Sequence, residues 1–122
     1  MGIIRRKVWL SGLKGRVQVN ALFDTGSTDS LVREDLAGKI GPFSELEEPK
    51  TFHAIRDTFK VREAIFAGLK IGRHKMGVAP AIVAGLTEEL IIGTDVMQRY
   101  NIKLEPKRHR IILDPEALVH RA

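Results

Sequence analysis

Apolar residues recur along this chain in short alternating runs rather than in helical stripes. Val17, Val19, Ala21 and Phe23 alternate with Arg16, Gln18, Asn20 and Leu22, the period-2 pattern of a strand with one buried face. Ile4, Val8 and Leu10 bracket an earlier strand, and Ser11-Gly12-Leu13-Lys14-Gly15 reads as the turn between the two. A short strand at Ser30-Leu31-Val32 precedes a short helix over 33–40, which Gly41-Pro42 stops. Residues 43–49 read as an acidic loop. A hairpin is expected next, from Thr51 to Ile55 with its turn near Arg56-Asp57, followed by one long run over 58–71. Gly72-Arg73-His74-Lys75 is a turn, and 76–83 is a further strand with Pro80 at a bulge or edge. Leu90-Ile91-Ile92 is a short buried strand closed by Gly93, and Thr94 is placed to cap a helix running to Tyr100. Ile102, Leu104 and Ile111 to Leu113 complete the pattern as a hairpin around Pro106-Lys107. The expectation is a mostly-β single domain over 1–122 with one or two short helices, and with 114–122 as a flexible tail.

Composition narrows the function classes. The chain has no cysteine, which rules out disulfides, thiol catalysis and zinc–thiolate sites and suits a reducing cytoplasm. No apolar run nears the roughly 18 residues that span a bilayer, and the N-terminus lacks a signal-peptide core, so no membrane segment is expected. Net charge is +5, but the basic residues are scattered, with small clusters at Arg5-Arg6-Lys7 and Lys107-Arg108-His109-Arg110. Aromatics make up 6%, too few to supply many stacking platforms, so composition argues against nucleic acid as the partner. A basic β-module on nucleic acid stays as a rival that salt dependence would separate. His53, His74, His109 and His120 have no ligand spacing, and neither metal nor cofactor is expected.

Candidate chemistry begins where the alternating strand ends. In ALFDTGSTDSLV, residues 21–32, the apolar run stops at a carboxylate, Asp24, followed by Thr25, Gly26, Ser27 and Thr28. Asp-Thr-Gly is by itself a good turn tripeptide. The apolar strand before it, however, delivers the carboxylate to the edge of a core. Thr25 and Ser27 put two hydroxyls beside it, and Gly26 leaves room for another chain to come close. A second segment, ELIIGTDVMQRYNI over 89–102, places a buried strand, a glycine and a helix in succession.

In that order, Leu22-Phe23-Asp24-Thr25-Gly26-Ser27 and Leu90-Ile91-Ile92-Gly93 with its helix resemble the retropepsin-like aspartic proteases. These are the single-domain relatives of pepsin found in retroviruses, retrotransposons and some cellular proteins. The resemblance spans residues 4–113, with Thr58-Phe59-Lys60-Val61-Arg62 where the family's flap returns to the sheet. It implies the retropepsin-like acid-protease fold, a closed or strongly curved β domain, and an aspartic endopeptidase that hydrolyses polypeptide by activating water. Such chemistry needs two carboxyl groups, one to take a proton from water and one to give a proton to the substrate oxygen. Two carboxyls about 3 Å apart cannot both ionise and so share a proton.

This chain has one Asp-Thr-Gly. Asp29, Asp35, Asp57, Asp95 and Asp114 lack the same setting, so the second carboxylate is expected from a second copy across a two-fold axis. The resemblance makes Asp24, Thr25 and Gly26 catalytic: Thr25 bonds across to the other subunit, and Gly26 lets the substrate backbone near. Ser27 bonds an outer carboxylate oxygen. With Thr28, Leu22, Val32, Ala54, Ile55, Ile91 and Ile92 it makes up the expected substrate-binding set, although Leu22, Val32, Ile91 and Ile92 serve equally well as plain core. Ile3-Ile4 and Ile111-Ile112-Leu113 are interface candidates, and residues 52–58 are expected to move as a lid. Two departures stand out. The tip His53-Ala54-Ile55-Arg56-Asp57 lacks the glycines of viral flaps, and Thr94 and Thr28 replace the arginine–acid pair of many viral members. Both place the chain nearer the cellular or bacterial branch. The rival within the same fold is a non-catalytic domain used for dimerisation or peptide binding.

Overall fold

The computed structural model describes residues 2–113. Strands β1 (Ile3–Gly12) and β2 (Gly15–Asp24) form a long antiparallel hairpin, paired from Gly12 with Gly15 to Ile3 with Asp24. Then come β3 (Leu31–Arg33), α1 (Glu34–Ile40), a second long hairpin of β4 (Ser44–Ala54) and β5 (Asp57–Ala64), and a third of β6 (Ala67–Ile71) and β7 (His74–Val78). Strands β8 (Ala81–Val83) and β9 (Leu90–Ile92) precede α2 (Thr94–Arg99), and β10 (Lys103–Glu105) and β11 (Arg110–Ile112) make a small separate hairpin.

Nine strands form one sheet in the order β4-β5-β8-β3-β9-β2-β1-β6-β7. β9 lies parallel to β2, pairing Leu22 with Ile91 and Phe23 with Ile92, and antiparallel to β3. All three residues of β9 are buried, which explains a continuous apolar run where an edge strand would alternate. The order is linear, with β4 and β7 at its ends, so among the described residues the ladder does not close. The strand pairing therefore gives a mostly-β domain but does not bear out the closed or strongly curved form that the resemblance implies.

The main core gathers Val8, Leu10, Val19, Ala21 and Phe23 from the first hairpin with Leu36, Ala37 and Ile40 of α1 and Val96 and Met97 of α2. A smaller core of Leu31, Ala54, Val61, Ala81, Leu86 and Ile91 sits under the β4–β5 hairpin.

Four local expectations are corrected. The presumed loop over 43–49 is largely strand, since β4 starts at Ser44, with an irregular register between Glu45 and Lys50. Its residues are mostly exposed, which hides the strand from a reading based on burial period. The run over 58–71 divides at Ile65-Phe66, and 76–83 divides at Ala79-Pro80. There the chain changes neighbours: β5 pairs with β4 and β8, whereas β6 pairs with β1 and β7, and Ile65 N–H donates to the Pro80 carbonyl at the crossing. Thr94 does not cap α2. Gly93 holds the cap position, and the Asp95 carboxylate accepts the Val96 N–H instead. The tail expected over 114–122 lies outside the described residues.

Candidate active site

Asp24 is the last residue of β2, held between β1 on one side and the end of β9 on the other. It is only 8% exposed, and both carboxylate oxygens are engaged. Gly26 N–H donates to Oδ1 at 2.8 Å, and the buried Ser27 hydroxyl donates to Oδ2 at 3.2 Å. Ser27 N–H closes the turn on the Asp24 carbonyl at 3.0 Å. The loop thus presents a carboxylate with a fixed orientation, as a group that must move protons requires.

The far segment holds this loop in place. A Cβ on Gly93 would lie 2.6 Å from the carbonyl oxygens of both Ser27 and Asp29, so only glycine lets the chain pass here. Thr94 N–H donates to the Ser27 carbonyl at 2.8 Å and Asp95 N–H to the Thr28 carbonyl at 3.2 Å. The Asp95 carboxylate accepts the Ser30 hydroxyl at 2.7 Å and the Ser30 N–H at 3.1 Å, while the Ser30 Oγ accepts the Gly93 N–H at 2.9 Å. Ser30 and Asp95 were not among the sequence candidates. The available signal was Ser30 itself, a hydroxyl flanking an apolar strand, but its partner lies 65 residues away. Together they tie the loop to α2 without an arginine–acid pair.

Thr25 has its hydroxyl engaged within its own chain: Oγ1 accepts the Gly2 N–H at 2.8 Å and donates to the Gly2 carbonyl at 3.3 Å. The tip of the β4–β5 hairpin lies over the loop. Ile55 N–H donates to Ser27 Oγ at 2.9 Å, and Thr28 N–H and Asp29 N–H both donate to the His53 carbonyl. Leu22, Asp24 and Ile55 share a cavity of about 400 Å³ with Ile3 and Arg56. Gly26 and Ala54 line a second recess with Arg56, Asp57 and Thr58. Val32, Ile91 and Ile92 are fully buried: Val32 and Ile92 pack in the main core, and Ile91 packs with Ala54 in the smaller one. They support the site from behind.

A larger cavity of about 690 Å³ lies between the β1–β2 turn, Phe66 and Tyr100. Its lining has no carboxylate or imidazole, and the Tyr100 hydroxyl is already bonded to the Gly77 backbone. It offers no acid–base pair. Among the described residues no group of three or more His, Asp or Glu side chains is placed to hold a metal ion. No described helix is long and apolar enough to cross a membrane.

The family described as "gag-polyprotein putative aspartyl protease" matches residues 12–99, most of the chain and both segments that build this site. Similar solved structures include the retroviral protease-like domain of Ddi1 from Leishmania major, with a TM-score of 0.63 at 14% identity, covering 94% of this chain and 90% of that one. Another is Lpg0085 from Legionella pneumophila, a protein of unknown function, with a TM-score of 0.55 at 13% identity and coverage of 85% and 91%. At such identities the likeness speaks for the fold alone. Among curated proteins none matches the chain.

Proposed function

Because the chain belongs to the retroviral-type aspartyl protease family, we propose that it is a homodimeric aspartic endopeptidase. The observation that carries the reading is Asp24: a buried carboxylate with both oxygens held, beside a cavity lined by Leu22 and Ile55. Each chain supplies one such group, so two copies related by a two-fold axis supply the pair. Water between them loses a proton to the ionised carboxylate as its oxygen attacks the peptide carbonyl. The protonated partner gives its proton to the carbonyl oxygen, forming a tetrahedral diol. Collapse of the diol breaks the C–N bond as a proton passes to the leaving nitrogen, and the shared proton is restored.

In that assembly the Thr25 hydroxyl exchanges Gly2 for the partner loop, Gly26 admits the substrate backbone, and the β4–β5 hairpin serves as the flap. Thr28, Ala54 and Ile55 lie along the bound peptide, and Leu22 and Ile55 favour apolar side chains. The exposed Ile3 and Ile112 are the chain-end residues offered to the interface. The cysteine-free chain suits the cytoplasm.

One observation favours the non-catalytic rival: the Thr25 hydroxyl and the Asp24 loop are both satisfied within one chain. Digestion of an apolar-centred peptide library, with and without a statine-containing pepsin-type inhibitor, separates the two. Inhibitor-sensitive cleavage is expected. A stable dimer that cleaves nothing would support the rival.

A further inference from the structure

We propose that the outer face of the β2-β1-β6-β7 end of the sheet binds single-stranded nucleic acid, a role independent of the protease reading. These four strands are neighbours in the sheet order. They contain no acidic residue except Asp24 at the end of β2, whereas Arg5, Arg6, Lys7, Arg16, Lys70 and Lys75 all lie in them. The opposite end of the sheet is richer in acid, with Glu45, Glu47, Glu48, Asp57 and Glu63 in β4 and β5. Basic residues that are scattered along the chain are thus gathered by strand pairing at one end of the molecule.

Alternation selects the side chains that share a face. Leu10, Leu69 and Met76 are paired across β1, β6 and β7 and are buried in the main core. The rows on either side therefore point away from that core. Trp9, Lys70 and Lys75 form one row, and Ser11, Gly68 and Gly77 the next. Arg16, opposite Ser11 on β2, sets its guanidinium over the Trp9 ring at 4.5 Å. Lys70 and Lys75 are direct cross-strand partners, and like charges so placed repel. Among the described residues none of Arg16, Lys70 and Lys75 is in an ion pair. A lysine on an edge strand guards against strand addition, which accounts for Lys75 but not for Lys70 on the inner strand. A ligand with repeated negative charge offsets the repulsion of all three.

Aromatic surface on the same side selects the class of polyanion. Phe66 is 80% exposed and lines the cavity of about 690 Å³ together with Gly68, Lys75 and Gly77. Bases stack on rings while phosphates meet cations, which is how single strands are held on sheet surfaces. An acidic peptide would use the cations and leave the rings idle. Peripheral membrane binding buries an apolar face in lipid, whereas the exposed Leu13 and Phe66 border a recess.

Trp9 is the chain's one tryptophan, so its fluorescence reports on this face. Binding of oligo(U) and oligo(dT) is followed by Trp9 quenching and by anisotropy of the labelled strand across a range of salt. The full chain, Lys75→Glu and Phe66→Ser are compared, each with a melting curve. The parent should bind with quenching. Phosphate contacts from Arg16, Lys70 and Lys75 should make log affinity fall with log salt at a slope of about −2. Lys75→Glu turns the like-charged pair with Lys70 into an opposite one, so its melting temperature should equal or exceed the parent's. Its affinity at low salt should nonetheless fall about tenfold or more. Phe66→Ser should keep the salt slope and lose about fivefold or more in affinity. Failure of both strands to bind at low salt, or binding indifferent to Lys75→Glu, would overturn the proposal. So would capture of poly-glutamate, phosphatidylserine vesicles or duplex DNA in preference to the single strands.

Discussion

Asp24 owes its setting to small neighbours. Gly26 and Ser27 fix its two oxygens, and Gly93 lets α2 press its first N–H groups onto the same loop. Asp24→Asn keeps the shape of the side chain but cannot accept a proton from water, so cleavage should be lost with the fold retained. Peptide digestion beside a melting curve checks this, and undiminished cleavage by the folded variant would remove the aspartic mechanism. Gly93→Ala tests the support. Its Cβ would meet two carbonyl oxygens at 2.6 Å, neither of them a movable side-chain end. Overpacking of this kind costs about 1–3 kcal/mol, so a clearly lowered melting temperature and a displaced loop with reduced activity are expected. An unchanged melting curve would mean that the loop yields freely. At this scale Asp24, Thr25, Gly26 and Ser27 were legible, because a carboxylate ending an apolar strand is visible in a short window. Ser30 and Asp95 were not, since each has an ordinary local reading and only folding brings them together.

Elements carry the loop to its place, and their ends were harder to read than their existence. The hairpin of β1 and β2 and the strand β9 followed from alternation and from an unbroken apolar run. The breaks at Ile65-Phe66 and Ala79-Pro80 did not, because apolar patterning records burial but not which strand supplies the neighbour. The hairpin of β4 and β5 was expected as a lid, and its tip is hydrogen-bonded to the Asp24 loop. Helix α1 starts without a side-chain cap, but Glu34 and Asp35 in its first turn suit the positive end of the helix. The hydrogen bond from the Arg33 guanidinium, 2.7 Å away, holds the Asp35 carboxyl below its ordinary range. A carboxyl lowered on folding stabilises above its unfolded value, and that contribution is lost as pH falls through the lowered one. Asp35→Asn should therefore flatten the acid limb of the stability curve slightly, the pair being exposed, and leave neutral-pH activity intact. Denaturant melts from acid to neutral pH would detect this. Parent and variant curves that stay parallel throughout would contradict the linkage.

The whole molecule poses a question of number. One chain supplies a single Asp-Thr-Gly loop, and among the described residues the sheet is linear with ends that do not pair, the loop lying beside β1 with Ile3 exposed. The protease account requires that loop to meet its own copy, exchanging the Thr25–Gly2 bonds for contacts across the axis. The resemblance pointed to this assembly from sequence, but the strands of one chain cannot display it. Subunit mixing addresses it most directly. Parent protein is allowed to exchange subunits with Asp24→Asn protein, at constant total concentration and varied ratio, and cleavage of one peptide is followed. If every site needs Asp24 from both chains, mixed dimers are inactive and activity falls as the square of the parent fraction, to about one quarter at equal amounts. A linear fall, to about one half at equal amounts with exchange verified, would contradict the shared site and locate the chemistry within single chains.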